Sequence, residues 1–193
     1  MRESILRKAA ESARVAAQLF ERDAERFEAC VRAMARRFHA GGRLWAMGNG
    51  GSACDAQHVA VEFQHPIIEK RRPLPALALT TDSATLTAIG NDRDFSLVFA
   101  EQVRLLGAAG DVALGISTSG QSASVVRGLQ AARDVGMLTV AFSGRDGGRL
   151  AEAAEHCFVV PSFSIHRIQE CHTILLHLLW DQVHIALCED DVL

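Results

Sequence analysis

The sequence predicts an α/β fold, a five-stranded parallel sheet wound on both faces and flanked by helices, with a helical hairpin at the N-terminus and one long helix at the C-terminus. Three observations carry this expectation. After residue 40, five short apolar runs alternate with stretches of helical periodicity. Those runs are apolar almost throughout rather than at every second position, as strands covered on both faces are. Two of them end in glycine-rich turns that open helices, where sheets of this kind bind ligands. At 193 residues the chain reads as one domain, 1–193, large enough to bury a core without disulfide or metal staples.

The elements follow in order. Residues 4 to 40 hold almost no breakers, and Val15, Leu19, Phe27, Val31 and Met34 recur at helical spacing. They read as two helices broken near Arg22-Asp23, whose apolar faces would be buried in a symmetric subunit interface. Strands are expected at Leu44-Met47, Ala76-Thr80, Val112-Ile116, Leu138-Phe142 and Cys157-Val160. Helices are expected at Ala53-Phe63, Ser83-Ile89, Leu97-Leu106, Ser124-Val135 and Arg149-Ala154, and a final one from Ile168 to Leu187.

Composition excludes several function classes. A net charge of -3, with Lys70-Arg71-Arg72 as the largest basic cluster, argues against direct nucleic-acid binding and makes that cluster a solvated loop. Met1-Arg2-Glu3-Ser4 shows no apolar signal core, and no apolar run approaches the roughly 20 residues of a membrane helix, so a cytoplasmic protein is expected. Cys30, Cys54, Cys157, Cys171 and Cys188 are odd in number and form no Cys-x-x-Cys pair, which leaves buried free thiols.

The chemistry concentrates in three places. Gly115-Ile116-Ser117-Thr118-Ser119-Gly120-Gln121-Ser122 sets four hydroxyls in a glycine-flanked turn between a strand and a helix. Unpaired N–H groups and the positive end of the helix dipole favour an anion there. With no Walker lysine following, a phosphate monoester fits better than a nucleoside triphosphate; helix capping by the same serines is the plainer alternative. Gly48-Asn49-Gly50-Gly51-Ser52 is a second such turn, without the later glycine of a dinucleotide motif, and its glycines let backbone approach a small ligand. The helix after it carries His58 and Glu62 on one face, suited to general acid–base work or to metal ligation, or to no more than a surface hydrogen bond. In the last helix Gln169 and His177 stand eight residues apart, about 12 Å along a straight helix, and meet only if both side chains lean inward. His172 and His184 read as polar or interface positions.

Taken together, these motifs, with Asp55-Ala56-Gln57-His58, Leu86-Thr87-Ala88-Ile89-Gly90-Asn91-Asp92, Ser143-Gly144-Arg145-Asp146-Gly147-Gly148 and Arg167-Ile168-Gln169-Glu170, resemble the sugar isomerase (SIS) family, a flavodoxin-like doubly wound fold, and within it the phosphoheptose isomerase branch. The resemblance covers nearly the whole chain. It implies an aldose–ketose isomerase acting on sedoheptulose 7-phosphate through an enediol, with Glu62 as the base and His177 as its acid–base partner. It implies further that Ser117, Thr118, Ser119 and Ser122 bind the phosphate, while Asn49, Gly50, Gly51, Ser52, Glu62, Asn91, Asp92 and Gln169 contact the substrate. His58, Glu62, Gln169 and His177 would hold one zinc ion per subunit, and the assembly would be a homotetramer with sites shared between subunits, which relieves the reach from Gln169 to His177.

The sequence departs from the branch in three places. Phe63-Gln64-His65-Pro66-Ile67-Ile68 stands where the branch has Thr-Gly-Arg-aromatic, so a substrate-facing arginine is missing; Gln121 replaces Asn, and His166 stands where Asp or Thr is usual. The altered segment keeps open an isomerase of another phosphosugar, and a non-catalytic SIS module resembling the replication-initiator-associating protein is a second alternative.

Overall fold

The computed structural model describes residues 1–67 and 71–191. The elements run α1 (Arg2–His39), β1 (Leu44–Gly48), α2 (Gly51–Gln64), β2 (Ala76–Ala78), α3 (Ser83–Asp92), a 3-10 turn (Phe95–Leu97), α4 (Val98–Leu106), β3 (Val112–Ser117), α5 (Ala123–Val135), β4 (Leu138–Gly144), α6 (Leu150–Ala153), β5 (His156–Val160) and α7 (Ile165–Ala186). All five strands pair in parallel, in the order β2-β1-β3-β4-β5. The expected strands are all present. β2 stops at Ala78 rather than Thr80 because the Thr81 hydroxyl and amide both donate to the Ala78 carbonyl, closing a turn.

Alternation along the strands divides the core in two. Leu44, Ala46, Leu114, Ile116, Val140 and Phe142 pack beneath α1, α2 and α7, whereas Trp45, Met47, Ala113 and Ala141 pack beneath α4, α5 and α6. Both faces are therefore covered, which is why the strands are apolar at nearly every position.

The N-terminal hairpin is not formed: α1 is one helix of 38 residues running through Arg22-Asp23 without a break. Asp23 sits on the inner stripe with Val15, Leu19 and Phe27 and is 2% exposed. Arg22 and Arg26 donate to its two carboxylate oxygens at 2.6 and 3.2 Å. The same guanidinium groups donate to the Val159 and Cys157 carbonyls of β5 at 2.6 and 3.1 Å. A buried carboxylate is tolerated when its charge is paired, and here the pair also fastens α1 along the outer strand. The residues that suggest a turn in isolation are the helix's attachment point.

A further expectation fails for the same reason, a partner distant in sequence. Arg71 is buried rather than solvated; it donates to Asp181 at 2.6 Å and lies 4.6 Å above the Trp180 ring. Lys70 of that cluster lies outside the described residues, as does Ile68 of the altered segment after Glu62. At the start of that segment Gln64 closes α2, its amide on the Ala76 carbonyl at 2.5 Å. Cys30, Cys157 and Cys171 are buried as expected, but Cys54 and Cys188 are exposed.

Replacing Arg71 by Ala strands the Asp181 carboxylate in the core, and urea titration is expected to show a loss of roughly 3–5 kcal/mol. A loss below about 1 kcal/mol, the range of an exposed pair, would contradict a structural role for this contact.

Candidate active site

The order of strands reverses between β1 and β3. From β1 the chain passes through α2 on one face of the sheet, and from β3 through α5 on the other. The two strand-to-helix turns thus separate and leave a crevice at the carboxyl ends of the strands, the position at which doubly wound sheets bind ligands. Gly48 is level with Ile116 in the β1–β3 register, so the glycine-rich turn faces the hydroxyl-rich one. Between them lies a cavity of about 160 Å³ lined by Asn49, Ser52, Ile116, Ser117, Thr118 and Ser122.

The polar groups of this cavity are set by backbone geometry. Ser122 is the N-cap of α5, yet its side chain makes no capping bond. Instead Asn49 donates to the Ser122 and Ser124 hydroxyls at 2.8 and 2.9 Å, which ties the two turns together and leaves the first amides of α5 free for an anion. Ser119 does not line the cavity; its hydroxyl lies 3.5 Å from Ser117 and accepts the Gln121 N–H at 3.2 Å. Gly120 makes this turn possible, with φ of 65° and a Cα pressed so closely on the Gly147 carbonyl that no Cβ could be accommodated. Ser124 joins the network although nothing in its own sequence neighbourhood separates it from a helix residue.

A second group of side chains forms where α2 meets α7. His58 Nε2 lies 3.2 Å from Glu62 Oε1, one turn further along α2. His177 reaches over from α7 to place its Nε2 3.2 Å from that of His58, the two rings edge to face at 81°. One donor atom from each of the three residues lies within 4.8 Å of the others. Two imidazoles and a carboxylate in such a cluster fit the nitrogen and oxygen donor set of zinc, and the exposure of His177 leaves an open side. The neighbouring Asp55 is pushed by burial up to about 6, with the charge of His58 pulling it partly back.

Gln169, proposed by resemblance to share that cluster, packs its carboxamide against Gly51, where a Cβ would collide with it. Gly50 supplies the N-cap of α2 with φ of 58°. Asn91 and Asp92 are exposed at the end of α3, hydrogen-bonded to each other at 2.8 Å, and do not line the cavity. The structure thus gathers Asn49, Ser52, Ser117, Thr118 and Ser122 at the cavity, and beyond it His58 and Glu62, on the helix that starts from the cavity wall, with His177 of α7.

A family model described as SIS domain matches residues 9–144. The phosphoheptose isomerase of Aquifex aeolicus is 52% identical over 149 residues, 77% of this chain and 78% of that protein. The phosphoheptose isomerase structure from Neisseria gonorrhoeae superposes with a TM-score of 0.88 at 41% identity, covering 94% of this chain and 97% of that one. The corresponding structure from Francisella tularensis gives 0.90 at 33% identity, covering 95% and 97%.

His172 and His184 of α7 prove to be core residues rather than polar or interface positions. His184 is buried, its Nδ1 2.9 Å from Glu189. His172 is buried with its Nε2 3.1 Å from the Ser143 carbonyl, and burial lowers its pKa from 6.5 to about 4. The unfolded chain binds this proton first, so the stabilisation is complete above pH 6.5 and is lost as pH falls from about 6.5 toward about 4. Urea midpoints measured across this window are expected to fall less steeply in His172→Gln than in the parent; equal slopes would contradict the assignment.

Proposed function

Because the chain belongs to the phosphoheptose isomerase family of SIS-domain proteins, we propose that it interconverts sedoheptulose 7-phosphate and D-glycero-D-manno-heptose 7-phosphate. The observation that carries this reading is the pairing of a hydroxyl-lined cavity with a carboxylate and an imidazole on the helix that leaves it, joined by a second imidazole from α7. His58 is six residues beyond Ser52 on α2, a rise of about 9 Å, a separation that a phosphorylated chain of several carbons can bridge. A phosphate held by Ser117, Thr118, Ser122 and the first amides of α5 would leave the far end of the sugar toward Glu62 and His177. Ser119 would support the turn, and Asn49, Gly50, Gly51, Ser52 and Gln169 would line the path between.

The reaction moves one proton between carbons and one between oxygens. Glu62 takes the proton from C1 of the ketose, giving an enediol, and returns it to C2. His177 delivers a proton to the C2 oxygen as the enediol forms and receives the O1 proton as it collapses to the aldose. General acid–base groups so placed contribute typically 10²–10⁴-fold. Zinc held by His58, Glu62 and His177, with Gln169 as the fourth ligand that family resemblance suggests, would supply a Lewis acid toward the substrate oxygens. The carboxylate and imidazoles favour catalysis over a pure binding module, which has no need of them.

We further read residues 1–193 as one domain of a cytoplasmic homotetramer. No helix among the described residues is long and apolar enough to cross a membrane. An apolar groove of about 580 Å³ runs between α1 and α7, lined by Phe20, Phe27, Val31, Leu178 and Ile185, a surface that subunit packing would cover. Asn91 and Asp92, which do not line the cavity in one chain, would serve a site shared between subunits.

Glu62→Gln is expected to lower turnover of sedoheptulose 7-phosphate by at least about 10²-fold with the fold retained, and parallel assays of metal-stripped and zinc-loaded parent protein decide the role of the metal. Unchanged turnover in the variant would overturn the assignment of the base. Light scattering is expected to report four times the 20.9 kDa chain mass; a monomer would contradict the shared site.

A further inference from the structure

Ser122 and Ser124 stand two residues apart at the head of α5, in different surroundings. Ser122 lines the cavity between the β1 and β3 turns, whereas Ser124 is 3% exposed and lines none of it. Asn49 Nδ2 lies 2.8 Å from the Ser122 hydroxyl and 2.9 Å from that of Ser124. A carboxamide nitrogen carries two hydrogens and accepts none. Both amide hydrogens are therefore spent, and each serine oxygen accepts one.

Each serine keeps a hydrogen of its own to place. For Ser124 the one acceptor within reach among the described residues, other than the donor Asn49, is Ser122 Oγ at 3.4 Å. That is a long contact for two hydroxyls, but its alternative is an unpaired buried proton, which costs free energy. Ser122, taking hydrogens from Asn49 and Ser124, has both lone pairs engaged, and its own hydrogen is left for the cavity. The first amides of α5 offer hydrogens to the same space. With the carboxamide reversed, Asn49 Oδ1 would consume both serine hydrogens, and Ser122 would meet a ligand with lone pairs alone, which an anion repels.

We propose that Ser124 is a positioning residue that fixes the hydrogen-bond polarity of the cavity: by accepting the second Asn49 amide hydrogen it holds the carboxamide with Nδ2 toward α5, and Ser122 is left as an obligate donor to a phosphate group. Ser124 touches no ligand itself and acts through Asn49 and Ser122. That the phosphate belongs to a sugar rests on the function proposed above; the donor polarity does not.

Titration with inorganic phosphate, followed by phosphorus-31 line broadening, tests this in the parent, Ser124→Ala, Ser124→Thr, Ser122→Ala and the doubly substituted protein. Ser124→Ala is expected to bind phosphate about 3- to 10-fold more weakly, the worth of one hydrogen bond. Ser124→Thr, which keeps the hydroxyl, is expected to match the parent, and the Ser124→Ala penalty is expected to vanish when Ser122→Ala is already present. In proton–nitrogen spectra of the parent, the Asn49 Nδ2 hydrogens are expected to show cross-relaxation to the β-hydrogens of Ser122 and Ser124. Phosphate bound equally by the parent and Ser124→Ala, a penalty undiminished in the Ser122→Ala background, or no such contacts at Asn49 would overturn the proposal and leave the function proposed above standing. A parent that binds no phosphate would overturn both, because the cavity would then hold no anion.

Discussion

Between β1 and β3 the winding of the sheet reverses, and every functional group in the molecule takes its place from that reversal. The two strands lie side by side, with Gly48 level with Ile116, yet their helices leave for opposite faces. The chain cannot fill the gap this opens with side chains of its own, because the turns above it are built from glycines and small hydroxyl residues. What remains is a polar recess roofed by the start of α5 and walled by the start of α2, suited to an anion.

The rest of the fold keeps those two turns still. Asn49 bonds the β1 turn to Ser122 and Ser124 at the head of α5, and Gln169 of α7 packs on Gly51. α7 is held in turn by buried polar contacts: His172 to the Ser143 carbonyl and Asp181 to Arg71. α1 lies along β5 through Arg22 and Arg26, which occupy carbonyls of that strand. The buried ones among these contacts, His172 to Ser143 and Asp181 to Arg71, are costly to break once made, because removing one partner leaves a buried polar group without compensation. A site that needs side chains from two helices held close together benefits from that rigidity.

What could be read from the sequence was what depends on neighbours in the chain. The strands announced themselves as apolar runs, and the two ligand turns as glycines and hydroxyls between a strand and a helix. His58 and Glu62 shared a face by spacing alone. Several of the failures involve partners far along the chain. Asp23 read as a break because its environment includes β5 carbonyls bound by Arg22 and Arg26, 137 and 131 residues away. Arg71 read as solvated because Asp181 lies 110 residues on. The contact between His58 and His177 spans 119 residues and exists only once α2 and α7 pack, so local spacing suggested the pair on α2 and could not supply its third member. Asp55 entered only as part of the motif before His58, because an acidic residue on a helix is ordinary until its oxygen is found buried.

The central claim is spatial: phosphate at the crevice between β1 and β3, with the reacting carbons beside Glu62. A crystal structure of the Glu62→Gln protein with bound sedoheptulose 7-phosphate tests it directly. The account requires the phosphate between Ser117, Thr118, Ser122 and the first turn of α5, and C1 and C2 within hydrogen-bond reach of residue 62 and His177. A phosphate bound elsewhere, or a sugar directed away from α2 and α7, would contradict it.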